Sequence, residues 1–121
     1  MISRYVLRNI LYSELVFIFS IMKKEIRRAF RRDVFKRDNF KCVFCDKEAD
    51  DAHHITDRNE MPNGGYVLEN GISLCKEHHI EAETYHVTNG KSWADGMHPD
   101  DLYKRIGSSK ELAIKKSKEL K

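Results

Sequence analysis

The chain of 121 residues is short of several things. It has only three cysteines, so a complete set of disulfides is excluded. Two prolines and six glycines punctuate it, with no low-complexity segment and no internal repeat. Long apolar runs are missing too. Residues 10–22, "ILYSELVFIFSIM", are interrupted by Glu14 and fall short of the ~20 residues a membrane-spanning helix needs. No small-residue cleavage site follows them, so a secretory signal is not expected. Apolar side chains compete with a charged fraction of 34%, above the ~25% of an average domain. One small domain with a limited core is therefore expected, and a metal would brace it effectively.

The formal net charge is only +3, but it is unevenly spread. Residues 1–41 hold 11 Lys and Arg against 4 Asp and Glu, whereas residues 42–121 hold 11 against 15. A basic N-terminal third points to an acidic partner, first of all nucleic acid. Residues 23–37 read as a helix, because Ile26, Phe30 and Val34 recur every four residues. Arg27, Arg28, Arg31 and Arg32 lie off that stripe and are expected to meet phosphates; the alternative is a solvated face. Asp38-Asn39 should end the helix. The run Ile10–Met22 has two readings. It forms a helix or strand packing on the domain or on a second copy, or residues 1–21 precede a natural start at Met22.

Further along, "NFKCVFC" reads as a short strand entering a knuckle, and "AHHIT" and "GISLC" read as two more strands. "DRNEMPNGGY" is a loop, turned by Pro62 and Gly64-Gly65. "KEHHIEAETYHV" opens a helix. Pro99 suits the first turn of the next helix, which Gly107 stops. Ser108 with Glu111 matches a capping box for a last one.

The three cysteines and four of six histidines fall between residues 42 and 79. Cys42-x-x-Cys45 and Cys75-x-x-His78 are two pairs of equal spacing, together the four ligands of a closed, structural zinc site. His79 could stand in for His78. Thiols kept for a metal imply a reducing, cytoplasmic compartment. His53, His54 and His79 are left over. His79 is rotated about a quarter turn from His78 and can face elsewhere. Neighbours on a strand point to opposite faces, so only one of His53 and His54 should approach His79 unless the strand bends or bulges. Otherwise one of the pair is a surface histidine.

The text "CVFC", "AHHI", "GG", "LENGISLC" and "CKEHH", with His54, Asn70 and His79 in that order between two knuckles, resembles the zinc-ribbon HNH endonucleases of phages and mobile elements. The likeness covers about residues 26–85. It implies an α+β fold: a small ββα-metal core with a structural zinc, flanked by an N-terminal basic helix and C-terminal helices. Residues 1–22 would be an apolar extension, 23–90 the nuclease core and 91–121 a C-terminal helical extension. It further implies that His54 is the general base, that Asn70 pins the loop that aims it, and that His53 and His79 bind one catalytic divalent cation. Glu83, one turn beyond His79, is either a further ligand, directly or through water, or a solvated acid. Mg2+, Mn2+, Ni2+ and Zn2+ all suit such a set. The sequence departs from the family at His78, where a cysteine is usual, and at His53, where an aspartate is usual.

Phosphodiester hydrolysis asks for these parts. A neutral imidazole accepts the proton of the attacking water. A divalent cation beside the departing oxygen stabilises its charge. An arginine or lysine on the phosphate adds to this, with Arg58, Arg32 and Lys41 as candidates. The expected activity is metal-dependent cutting of duplex DNA in a bacterial cell, by nicks or, in a homodimer, by paired cuts. The alternatives are a zinc-stabilised DNA-binding module without catalysis and a zinc-ribbon protein adaptor.

Overall fold

The computed structural model describes residues 11–120. The expectations for residues 1–10 lie outside that range. Among the described residues no helix is long and apolar enough to cross a membrane.

The chain is α+β. Helix α1, Tyr12–Arg37, is followed by a two-stranded antiparallel sheet of β1, Asp51–His54, and β2, Gly71–Leu74. Helix α2, Lys76–Val87, follows β2 directly, and two short helices, α3 at Pro99–Arg105 and α4 at Lys110–Lys118, complete it. The order is therefore strand, loop, strand, helix between flanking helices. The loop joining the strands is tightened by three 3-10 turns, Arg58–Glu60, Pro62–Gly65 and Leu68–Asn70.

Helix α1 is longer than its periodic stripe. It runs through position 22 without a break, so the apolar run is helical from Tyr12 on, yet it does not pack on the domain. Tyr12, Phe17 and Phe19 are all more than half exposed. Burial begins at the stripe itself, with Phe30 and Val34 against the sheet and Ile26 partly covered. Asp38 caps the helix, as its turn-forming character implies.

The sheet lies between α1 and the main core. In the register His53 faces Ile72 and His54 faces Gly71. Gly71 and Ser73 turn toward α1. A Cβ at Gly71 would come 2.5 Å from Val34 and 2.8 Å from Phe30, so only glycine lets the helix sit this close. Ile72 and Leu74 turn the other way, into a cluster with Ile55, Met61, Ala82, Leu102, Tyr103 and Ala113. Arg37 locks the two layers together. Its guanidinium donates to the carbonyls of Leu68 and Gly71 and to both oxygens of Asp38, and Asp38 accepts from Ser73 N–H.

Two local expectations change. Residues 40–45 form no strand but an isolated bridge between Lys41 and Glu48, because Asn39 and Phe40 both take positive φ. The N-cap of α4 is Ser109, whose hydroxyl accepts from Leu112 N–H; Ser108 instead donates to the carbonyl of Glu69. The C-terminal helices contribute to the core, since Leu102, Tyr103 and Ala113 are buried in it. Gly71→Ala should cost about 1–3 kcal/mol through overpacking against Val34 and Phe30. A urea unfolding series on the zinc-loaded protein measures it; an unchanged midpoint would mean the helix is free to move away.

Candidate metal and histidine site

The first cluster joins the turn after α1 to the start of α2. Cys42 and Cys45 sit on the turn; Cys75 is the residue before α2 and His78 lies in its first turn. Cys45 Sγ is 3.6 Å from Cys75 Sγ, and His78 Nδ1 is 3.1 Å from Cys75 Sγ and 3.5 Å from Cys42 Sγ. Tetrahedral zinc, with bonds of about 2.3 Å to sulfur and 2.0–2.1 Å to nitrogen, spaces such atoms about 3.5–3.8 Å apart. The sulfurs are too far apart for a disulfide, whose bond is about 2.05 Å. The four side chains could therefore bind a metal such as zinc. Cys42 and Cys75 are buried and Cys45 is exposed. Phe44 stacks on the His78 ring at 5.3 Å, and the Arg105 guanidinium lies 4.4 Å from Phe44.

The metal-free thiols differ. Burial works to raise Cys42, but backbone N–H groups around it prevail and bring it down to about 7. Burial pushes Cys75 up to about 11. Uptake of zinc near neutral pH must then displace the proton of Cys75, so zinc affinity should rise with pH. Calorimetry in buffers of different ionisation enthalpy should detect release of about one proton or more per zinc. Elemental analysis should find zinc in the wild type and its loss in Cys75→Ser; zinc retained by that variant would place the ion elsewhere.

The second cluster lies where β1 crosses α2. His53 is 2% exposed, and its Nδ1 is 3.1 Å from Glu83 Oε1. His79 Nε2 is 3.4 Å from the same oxygen and 3.5 Å from Asp51 Oδ2. Ligand atoms about 2.0–2.2 Å from one cation are separated by about 3.0–3.5 Å. Both ring nitrogens of His53 are buried without a hydrogen-bond partner, the approach to Glu83 being close but misaligned. A buried nitrogen left unpaired costs about 1–3 kcal/mol, and a cation at Nδ1 would satisfy it. Two imidazoles and a carboxylate fit a divalent transition metal or zinc.

Electrostatics agrees with that donor set. Burial lowers the pKa of His53 and keeps it neutral. Glu83, beside His53 and His79, is held well below the usual carboxylate range. Glu83 in turn raises His79, with help from Asp51. Glu83 and Asp51 thus favour positive charge at His79, the charge that a bound cation would supply.

His54 points to the other face of the sheet, as the pleat requires, with no bulge. It stacks on Phe30 at 4.4 Å and meets the edge of Tyr66 at 4.8 Å. Its Nε2 is buried with no partner. It nonetheless lines the same cleft of about 300 Å3 as His53, His79, Glu83 and Arg58, because it ends the strand. Burial, then the neighbouring His53 and the Arg58 charge, lower His54 to about 4.

Asn70 is fully buried beneath this cleft. Its carboxamide donates to the carbonyls of Thr56 and Gly65 and accepts from Thr56 N–H and the Tyr103 hydroxyl. The bonds to Thr56 and Gly65 hold the loop that leaves His54, and the bond from Tyr103 ties it to α3. Glu83, the open case in the sequence, joins the cluster. Asp51 and His86 were not anticipated. His86 Nε2 donates to the His54 carbonyl at 3.0 Å, and its ring stacks on His53 at 5.2 Å. The signal was available: Glu83 and His86 follow His79 by four and seven residues on one helical face, and Asp51 precedes His53 by two on one strand face.

The arginines divide. Arg28 pairs with Glu25, Arg32 with Asp33 and Arg31 with Asp51. Arg27 and Arg58 have no such ion pair among the described residues. They flank Tyr66 beside the cleft. Lys41 lies beside the cysteines, in the bridge to Glu48. No protein-family model, curated protein or solved structure matches the chain.

A neutral, buried histidine destabilises the fold in acid. The unfolded chain binds a proton near 6.5 while folded His54 waits until about 4, so its stability is full above 6.5 and lost as pH falls through that window. Between about pH 6.5 and 5 the wild type should lose about 1.5 kcal/mol more than His54→Phe. Paired urea titrations check this; equal losses would show that His54 titrates normally.

Proposed function

We propose that the chain is a metal-dependent DNA endonuclease of the HNH type, with a ββα-metal core braced by structural zinc. The observation that carries this is the split of adjacent histidines. His53 turns into a cluster with His79 and Glu83, while His54 turns the other way, and both line one cleft. A non-catalytic zinc module has no use for buried, unpaired imidazole nitrogens beside a carboxylate, since each costs stability.

In this reading His53, His79 and Glu83 hold the catalytic cation, with Asp51 next to it. When bound, the cation supplies charge stabilisation to the reacting phosphate and its leaving oxygen. His54 takes the proton of the attacking water. Its depressed pKa keeps it unprotonated at neutral pH, at some cost in basicity, and an anionic phosphate beside it would draw that value back up. Phe30 and Tyr66 hold the ring in place from two sides. Asn70 and His86 hold the backbone around it, one through the Thr56 loop and the other through the His54 carbonyl. Arg58 and Arg27 contact the phosphate, and the paired Arg28, Arg31 and Arg32 contribute less.

A plasmid-nicking assay with added Mg2+, Mn2+ or Ni2+ tests the proposal. The wild type should open supercoiled DNA. His54→Ala should cut roughly 100- to 10,000-fold more slowly with zinc content and DNA binding retained. Cutting at the wild-type rate by that variant would remove the base assignment. DNA binding without cutting by the wild type under every cation would favour the non-catalytic module.

A further inference from the structure

A cavity of about 500 Å3 opens beside the histidine cleft, between α1 and the loop of 3-10 turns. Among the described residues its cations are Lys23, Arg27 and Arg58, and no acidic side chain lines it. None of the three belongs to an ion pair among the described residues, unlike their neighbours Arg28, Arg31 and Arg32. Its remaining walls include apolar Ile26 and Leu120 and the ring of Tyr66, each partly buried. Asn59 also lines the cavity, a side-chain amide that can both donate and accept. Arg27, Arg58 and Tyr66 are shared with the hollow that contains His54. That hollow shares His54 and Arg58 with the cleft over His53, His79 and Glu83. The cavity is thus the next station along one groove.

Cationic rims, apolar walls, an aromatic ring and a free amide are the chemistry of a nucleotide: phosphate, base face and base edge. A size of this order matches pockets that enclose small molecules, roughly 300–1,000 Å3. A base locked in a duplex cannot turn into a walled pocket; an unpaired base can. We propose that the cavity of Lys23, Arg27, Arg58 and Tyr66 receives an unpaired nucleotide adjoining the phosphate over His54. The substrate class is then single-stranded DNA, or DNA with a single-stranded stretch. This deepens the nuclease reading and rests on it for the position of the reacting phosphate.

The test is fluorescence anisotropy with the full zinc-loaded chain, without added divalent cation. The probes are a labelled single-stranded DNA oligonucleotide and its duplex at the same salt. The single strand should bind about tenfold more tightly, although the duplex has the higher charge density. Arg27→Gln with Arg58→Gln should erase that preference, with zinc content and circular dichroism unchanged. Lys23→Glu, at an exposed helix position, should narrow it independently should the double variant fold poorly. Equal or tighter duplex binding by the wild type overturns the proposal. So does an equal loss on both probes in the variants, which describes a general phosphate patch. The nuclease reading fails separately: single-strand preference without cutting of either the single strand or the plasmid under Mg2+, Mn2+ or Ni2+ keeps the pocket and removes the enzyme. Plasmid cutting without that preference removes the pocket and keeps the enzyme.

Discussion

The pleat of one four-residue strand organises this molecule. Because β1 pairs with β2 in regular register, His53 and His54 must leave on opposite faces. One enters the layer of α2 and the other the layer of α1. A bulge would have put both on one side; the pairing excludes it. The sheet can be this small because both faces are covered, and Gly71 lets α1 approach closely on the His54 side. The helix then covers one face of the His54 ring through Phe30.

Two cross-ties keep the strand where it is. The cysteine cluster joins the turn after α1 to the first turn of α2, and so sets the direction of the helix that carries His79, Glu83 and His86. Zinc held there would contribute on the order of 10 kcal/mol, similar to the whole stability of a small domain. The second tie is the Asn70 carboxamide, which with Thr56 and the Tyr103 hydroxyl forms a fully buried network. It couples the loop after His54 to α3, so the C-terminal helices support the site from behind. Networks of this kind are rigid when every member is satisfied.

Charge follows a similar division. Within the basic N-terminal third Tyr12–Arg37 is one continuous helix, but its arginines do not act alike. Carboxylates nearby neutralise three of them, and Arg37 is spent on backbone carbonyls. Arg27 and Arg58 come from distant parts of the sequence and meet at Tyr66. Burial opposes ionisation of the Tyr66 hydroxyl, yet the two guanidinium groups prevail and lower its pKa. The pairing of these two guanidinium groups at Tyr66 is therefore a tertiary feature, not a charge run.

Much of the fold was legible in the residues. The i, i+4 stripe located α1, the turn residues ended it, and Pro99 and Gly107 bounded α3. Equal spacing in Cys42-x-x-Cys45 and Cys75-x-x-His78 brought out the four-ligand cluster, because local turns alone make such pairs converge. Local geometry could not reach further. Whether Glu83 served the His53 cluster depended on the crossing of α2 with β1. Arg28 and Arg32 pair with acids close in sequence, Glu25 and Asp33, but the pairing of Arg31 depended on Asp51, 20 residues away. The use of Ser109 rather than Ser108 as a cap was decided by Glu69 drawing Ser108 aside. The sequence by itself determined the elements and the metal-binding residue types, which are set by neighbours along the chain. The pairing of distant side chains, their burial and so their protonation were decided only when the layers closed.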